Sequence, residues 1–380
     1  MIMKDDNQKQ NEDQKNQIEY NKNKNNKDWL EIFNDLRMNT RMQLNRYPVV
    51  TAKQKVRLNI NSIIFSRKIL KLDRFFWPNG LLALSLEWAF KSSKDIQDFN
   101  GLLQYYDLWI ENGTLIYNLD NAINGYSLIY VYQMTKDNKY KSAIIKIKEY
   151  LLLQVRDKKD SLPYRVGSPD DIYIDSIGMI CPFLCRYGNV YKDPIATSLA
   201  IKQIINFIYN GFDESTLLPY HGYNLKEKYK MGIIGWGRAV GWLLIGMVDS
   251  IEYIDPTNSN YAFLCRSFRK IVNTTIKYQK KNGYYSWQLT ALEGHIDTSS
   301  TSMISYAIKR GVMTGLLNKS YLYHSNLGLL ALRDSIINGV VINSSAECMG
   351  FSMYPQRYDV FPWSQGPTTA LMALSLNRVE

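Results

Sequence analysis

The residues in this sequence that could carry chemistry are few, and they sit in short clusters at the mouths of apolar runs. Asp175 stands in Tyr173-Ile174-Asp175-Ser176-Ile177-Gly178. A carboxylate there either caps a helix or works in a cleft. Its apolar flanks Ile174 and Ile177 would strip water from it, the setting a general acid needs. Asp120 opens Asp120-Asn121-Ala122 in the corresponding place and has the same two readings. Two carboxylates at one cleft would divide the work of proton donor and acceptor. His221 lies in the turn-rich run Pro219-Tyr220-His221-Gly222-Tyr223. Arg238 and Trp242 are four residues apart and share a helix face. They suit a carboxylate and a sugar ring, and packing of guanidinium on indole is the ordinary alternative. Phosphate loops, dinucleotide fingerprints, a GxSxG elbow and HExxH are absent, and three His make a multi-His metal site untenable. Carboxylate chemistry on glycans is what this inventory leaves.

Helices must position these groups. From Trp29 onward apolar residues recur at three and four, as in 80–92, 138–155, 194–209 and 236–254, and period-2 strands are scarce. Polar or aromatic clusters recur at helix starts: Trp77-Pro78-Asn79-Gly80, Asp120-Asn121, Asp175-Ser176, Trp236-Gly237-Arg238, Asp297-Thr298-Ser299 and Trp363-Ser364-Gln365-Gly366. The steps between them run from 43 to 66 residues, room for two helices and two loops each. Six such pairs predict an all-α (α/α)6 barrel, a single domain over residues 28–380, with the helix near 29–45 pairing with the last one to close the ring. A stacked solenoid would instead leave the clusters along a ridge. In the barrel the inner helices are parallel, so unpaired N–H groups and positive dipole ends converge on one cleft that welcomes an anion.

Composition narrows the partners. Residues 1–27 hold almost nothing apolar and are expected to be a disordered polar tail. The net charge of +11 lies outside it, because the first 28 residues hold six Lys against six Asp or Glu. A basic body favours an anionic partner. No recognition motif points to nucleic acid, so an acidic saccharide is the expected partner, with a merely solvated basic surface as the alternative. No 18-residue apolar run and no signal-peptide core is present, so the expectation is a cytoplasmic protein without membrane contact. Cys181, Cys185, Cys265 and Cys348 read as reduced thiols rather than metal ligands.

Several motifs together resemble a family. Ile174-Asp175-Ser176-x3-Ile180-x-Pro182-Phe183-Leu184-x2-Tyr187-Gly188 is similar to the central motif of the unsaturated glycuronyl hydrolases, glycoside hydrolase families 88 and 105. Asp120-Asn121-x2-Asn124-Gly125 resembles their earlier aspartate motif, and Tyr220-His221-Gly222-Tyr223 their loop histidine. Trp236-Gly237-Arg238-Ala239-Val240-Gly241-Trp242 resembles their Trp-Ala-Arg-Gly-Asn-Gly-Trp. Gly283-Tyr284-Tyr285-Ser286-Trp287-Gln288-Leu289 followed by Asp297-Thr298-Ser299 resembles their late motif. The ordered match runs from about Trp77 to the C-terminus.

The resemblance implies the (α/α)6 fold and removal of a terminal 4,5-unsaturated uronic acid from lyase-generated oligosaccharides. It implies Asp175 as acid/base, Asp120, His221, Arg238 and Trp242 in substrate-binding or supporting positions, and no metal or organic cofactor. Asp120 is expected as the second catalytic carboxylate, and Trp236, Trp77 and Trp287 as further substrate-binding groups. The chain departs from the family at Ala239 and Val240, where Gly and Asn are usual, and at Asp297, where Glu is usual. Two other functions fit the residues: an ordinary two-carboxylate glycosidase on the same barrel, and a degenerate barrel that binds glycan without cleaving it.

Overall fold

A computed structural model of the chain describes residues 28–46, 74–165 and 167–376. The expected polar tail, residues 1–27, lies outside these. Twelve α-helices occur among the described residues: α1 (Trp29–Arg46), α2 (Trp77–Ser93), α3 (Ile96–Glu111), α4 (Asn124–Thr135), α5 (Asn138–Leu153), α6 (Asp175–Tyr191), α7 (Pro194–Asn210), α8 (Gly237–Ile251), α9 (Tyr261–Thr275), α10 (Thr298–Met313), α11 (Leu322–Asp334) and α12 (Pro362–Leu376).

The even-numbered helices form the inner ring. Each packs on the next, α2 on α4, α4 on α6, α6 on α8, α8 on α10 and α10 on α12, and α12 returns to α2. The ring is therefore a closed barrel rather than a solenoid. α1 packs outside α12 and α2, as the sequence predicted, through a Thr40–Thr369 hydroxyl pair and a Gln365 amide bonded to the Leu36 carbonyl. The layers differ in burial as their sequences differ in pattern. All fifteen residues of α8 are buried, whereas α5 buries only Tyr140, Ala143, Ile144, Ile147 and Leu151, one stripe at helical spacing.

The connections at the two ends are unlike. Where inner helices end, α2, α4 and α6 each stop at a Lys in the left-handed region, Lys94, Lys136 and Lys192, with φ near +59°. An Asp follows each one and caps the next helix through its carboxylate: Asp95, Asp137 and Asp193. This Lys-Asp turn is a short-range repeat within the larger one. Where inner helices begin, the loops are long and carry short strands. β1 (Asp171–Tyr173), β2 (Gly222–Asn224) and β3 (Lys230–Met231) form an antiparallel sheet in that order, with Tyr173 opposite Gly222. β4 (Ile336–Ile337) and β5 (Val340–Val341) form a hairpin, and β6 (Ser344–Ser345) pairs with β7 (Tyr358–Asp359). No helix among the described residues is long and apolar enough to cross a membrane.

Candidate active site

The inner-helix starts converge on a crevice of about 380 Å³, part of it open to solvent. Its walls include Trp77, Asp175, His221, Trp236, Arg238 and Trp242, all of them named from the sequence. Tyr164, Arg165, Tyr173, Met179, Glu347, Cys348 and Gly350 complete it, and none of them was expected as a site residue. Asp120 and Trp287 are not among the lining residues.

Strand register brings the central pair together. Asp175 follows β1 by two residues and His221 directly precedes β2, so the Tyr173–Gly222 pairing sets them side by side. The Ile174 N–H donates to the His221 carbonyl at 2.9 Å, which fixes the two backbones. His221 Nε2 then lies 2.8 Å from Asp175 Oδ2, and Nδ1 lies 2.7 Å from the Tyr354 hydroxyl. Burial pushes the Tyr354 phenol well above its ordinary range, against the pull of the Ile233 N–H, while the Cys348, Asp175 and Tyr173 charges add to the rise. Its oxygen already accepts from that N–H at 3.4 Å. Tyr354 therefore keeps its proton. The tautomer in which Tyr354 donates to Nδ1 is the one that places Nε2–H against Asp175. Asp175 Oδ1 makes no hydrogen bond to the described residues and is the oxygen left for a substrate.

The relay depends on close packing. Phe351 stacks on Tyr173 with centroids 3.9 Å apart and meets His221 edge-on at 5.1 Å. Gly232 has φ +79°, and a Cβ there would lie 2.5 Å from the Tyr354 hydroxyl and 2.6 Å from His221 Cβ. Only glycine allows that approach. The indoles are walls rather than open shelves: Trp77 meets Trp242 edge-on at 5.7 Å and tilts against Trp363 at 4.9 Å, and all three are almost wholly buried.

Arg238 faces the protein more than the crevice. Its residue is 1% exposed. Nη1 donates to the Ser345 carbonyl and hydroxyl, each at 3.0 Å, and Nη2 donates to the Ala346 carbonyl at 2.9 Å. The guanidinium lies 4.5 Å from the Trp236 ring centroid and 5.4 Å from that of Trp363. Asp297 pins the same segment. It caps α10 at the Ser299 N–H and also accepts from the Ser345 N–H at 2.9 Å and the Ser345 hydroxyl at 3.0 Å. Together the two residues clamp the 344–348 segment that carries Glu347 and Cys348 to the crevice. Ala239 and Val240 are fully buried and do not line it. The Trp287 carbonyl accepts the Gly237 N–H at the start of α8 at 2.8 Å.

Asp120 lies on a 3-10 turn, Leu119–Ile123, ahead of α4. Burial raises the Tyr164 phenol well above its ordinary range, and the charges of Asp120 and Asp175 raise it further, so this one ring is within electrostatic reach of both carboxylates. Glu347 stands at the rim. The protein packed around its carboxyl raises it, against the pull of Arg238, a hydrogen bond from the Trp77 indole and Arg165. Burial and the Asp175 charge push the Cys348 thiol up to about 12, which removes it as a nucleophile at neutral pH. Tyr354 and Glu347 sit in a segment without periodicity, so no sequence pattern marked them.

A six-hairpin barrel with a carboxylate–histidine pair at the inner-helix starts presents the acid–base group that a glycoside hydrolase needs. The model of Glycosyl Hydrolase Family 88 matches residues 38–375, and the chain belongs to that family and hydrolyses glycosyl bonds. It is 22% identical over 337 residues to the unsaturated rhamnogalacturonyl hydrolase YesR of Bacillus subtilis, a match covering 84% of this chain and 95% of that one. Among solved structures it resembles a family 105 glycoside hydrolase of C. acetobutylicum, with TM-score 0.72, 20% identity, and 83% and 97% of the two chains covered. It also resembles the unsaturated glucuronyl hydrolase of Bacillus sp. GL1, with TM-score 0.71, 15% identity, and 92% and 97% covered. These likenesses establish the (α/α)6 fold.

Proposed function

We propose that the protein removes a terminal 4,5-unsaturated uronic acid from lyase-generated oligosaccharides, with Asp175 as the acid and then the base. The observation that carries this is the Tyr354–His221–Asp175 chain, which holds one carboxyl oxygen and leaves the other without a hydrogen bond among the described residues, on a side chain that lines the crevice. Family membership and the YesR match support the substrate class. The substrate is an enol ether, O5–C5=C4. Asp175 delivers its proton to C4, and the positive charge appears at C5 and O5. Water adds at C5 while Asp175 takes its proton back. The resulting hemiketal opens and releases the remaining sugar. His221 keeps Asp175 in one orientation through both transfers. Asp120, across Tyr164, supports the site electrostatically rather than as a second carboxyl in the same crevice. A cytoplasmic location belongs to the same proposal, supported by four cysteines that are all free.

The test is a panel of unsaturated disaccharides from pectin, rhamnogalacturonan, glycosaminoglycan and ulvan lyases, followed by loss of enol absorbance. In deuterium oxide one deuterium should appear at C4 of the released keto acid. Cleavage of saturated analogues with the double bond left intact in the unsaturated ones would establish an ordinary glycosidase instead.

A further inference from the structure

Resting on that reading, we propose that Arg165, in the loop before β1, receives the substrate carboxylate, while Arg238 holds the 344–348 segment in place. An unsaturated uronate brings a carboxylate on C5, next to the carbon that becomes positive, and a site that accepts it needs a cation with free donors. Arg238 is poorly placed for this. It is 1% exposed, three of its N–H groups go to Ser345 and Ala346, and aromatic rings lie close to its guanidinium. A ligand carboxylate reaching it would compete with bonds that hold the crevice wall.

Arg165 differs in each respect. It lines the same crevice as Asp175, its side chain is exposed, and it makes no salt bridge or side-chain hydrogen bond to the described residues. Its guanidinium carbon lies 5.6 Å from the Tyr173 ring centroid and 5.9 Å from that of Tyr164. Two rings therefore lie beside the guanidinium without using its N–H fork, and a free fork can bind a carboxylate through two parallel bonds. Its backbone is set by a turn in which the Ser168 N–H donates to the Arg165 carbonyl at 3.0 Å. Glu347 feels its charge from the rim, so an incoming carboxylate would take over part of an attraction that exists in the free enzyme. Arg165 and Tyr164 also wall an adjoining groove with Asn118, Tyr150 and Gln154, which places the cation at the junction of two subsites.

The experiment compares wild type, Arg165→Ala and Arg165→Lys on an unsaturated disaccharide and on its C6 methyl ester, which keeps the enol ether and removes the charge. The expected result is a loss of about 30-fold in kcat/KM for Arg165→Ala on the acid, mainly in KM, with partial recovery in Arg165→Lys. The ester should be turned over equally by wild type and Arg165→Ala, and the melting temperature should not move. Equal losses on acid and ester, or no loss on either, would overturn the assignment. So would a loss confined to substrates whose second sugar is charged, since that puts Arg165 at the neighbouring subsite. A second arm separates this from the catalytic reading: saturated glucuronate and galacturonate are titrated into Asp175→Asn with and without Arg165→Ala. If wild type hydrolyses no unsaturated uronide but uronate binding still depends on Arg165, the proposed reaction fails and the carboxylate receptor stands. If binding is absent or indifferent to Arg165, the receptor fails whatever the activity.

Discussion

The two ends of the barrel are made by the same six inner helices and are opposites in how they treat charge. At the end with the Lys-Asp turns, charged groups are buried and paired. Glu87 meets Arg186 at 3.0 Å and Lys91 at 2.6 Å, and Asp249 meets Arg310 at 3.0 Å and Tyr306 at 2.9 Å. At the other end Asp175 has one oxygen bonded and one left over, Arg165 has no ion pair among the described residues, and burial raises the Glu347 carboxyl, with a further small push from the Asp175 charge. Pairing satisfies a buried charge and leaves it nothing to offer a ligand. Withholding a partner costs stability and leaves a group able to react. The fold separates the two tasks along its axis, with tight turns where charges are paired and long loops where they are not.

The sharpest way to break this comparison is Asp175→Asn. It keeps the shape and cannot cycle a proton, so kcat should fall on the order of a thousandfold with the melting temperature close to wild type. A variant that unfolds, or one that keeps more than a tenth of the turnover, would show that the two ends are not specialised as described.

Glu87→Ala is the mirror experiment. It leaves Arg186 buried without its carboxylate and should cost about 3–5 kcal/mol of stability by denaturant unfolding, while the folded fraction keeps its kcat. The pH profile adds a check on the same pair. Burial pushes the Glu87 carboxyl up, but the charges of Arg186 and Lys91, with bonds from Lys91 and Ser127, outweigh it and hold the group below its ordinary value. A depressed carboxyl adds stability above its unfolded value near 4.5 that is lost as pH falls through the folded one. Stability should therefore decline on acidification from pH 4.5 downward, and Glu87→Gln should flatten that decline. An unchanged slope in the variant would assign the acid sensitivity to other carboxyls.

Gly232→Ala tests the relay by crowding. The added methyl meets Tyr354 and His221 at a positive φ, so kcat should drop about tenfold to a hundredfold, with only a small fall in melting temperature. Wild-type kinetics here would show that His221 does not need Tyr354 to orient Asp175. The smallest effect belongs to the opposite end: Lys94→Gly relieves a left-handed, exposed lysine and should stabilise by about 0.5–1 kcal/mol without touching activity. A loss of stability would mean that the Lys side chain contributes more than its backbone strain costs.

How much was legible in the sequence depends on the kind of residue. The six clusters at helix starts were visible because each interrupts a 3.6-residue apolar pattern, and the structure puts all six at one end of a closed ring. Asp175 and His221 were visible as residue types in the right setting. Arg238 and Asp297 were visible as residues, but their work was not, because both act on Ser345, 107 and 48 residues away. Asp120 was expected beside Asp175, and a tyrosine ring with reach to both lines the crevice in its place.

The sequence by itself determined the helical periodicity and the count of hairpins, because local patterning records which face of each helix is buried, and it singled out Asp175 as the candidate carboxylate. Only the tertiary structure decided which oxygen of Asp175 is held, which arginine is occupied and which keeps its donors. Those outcomes depend on loops that no periodicity governs. Tyr354 reaches His221 across 133 residues through a segment whose course is set by contacts with Tyr173, Gly232 and Trp236, and a hydrogen bond between such distant positions exists only once the ring has closed.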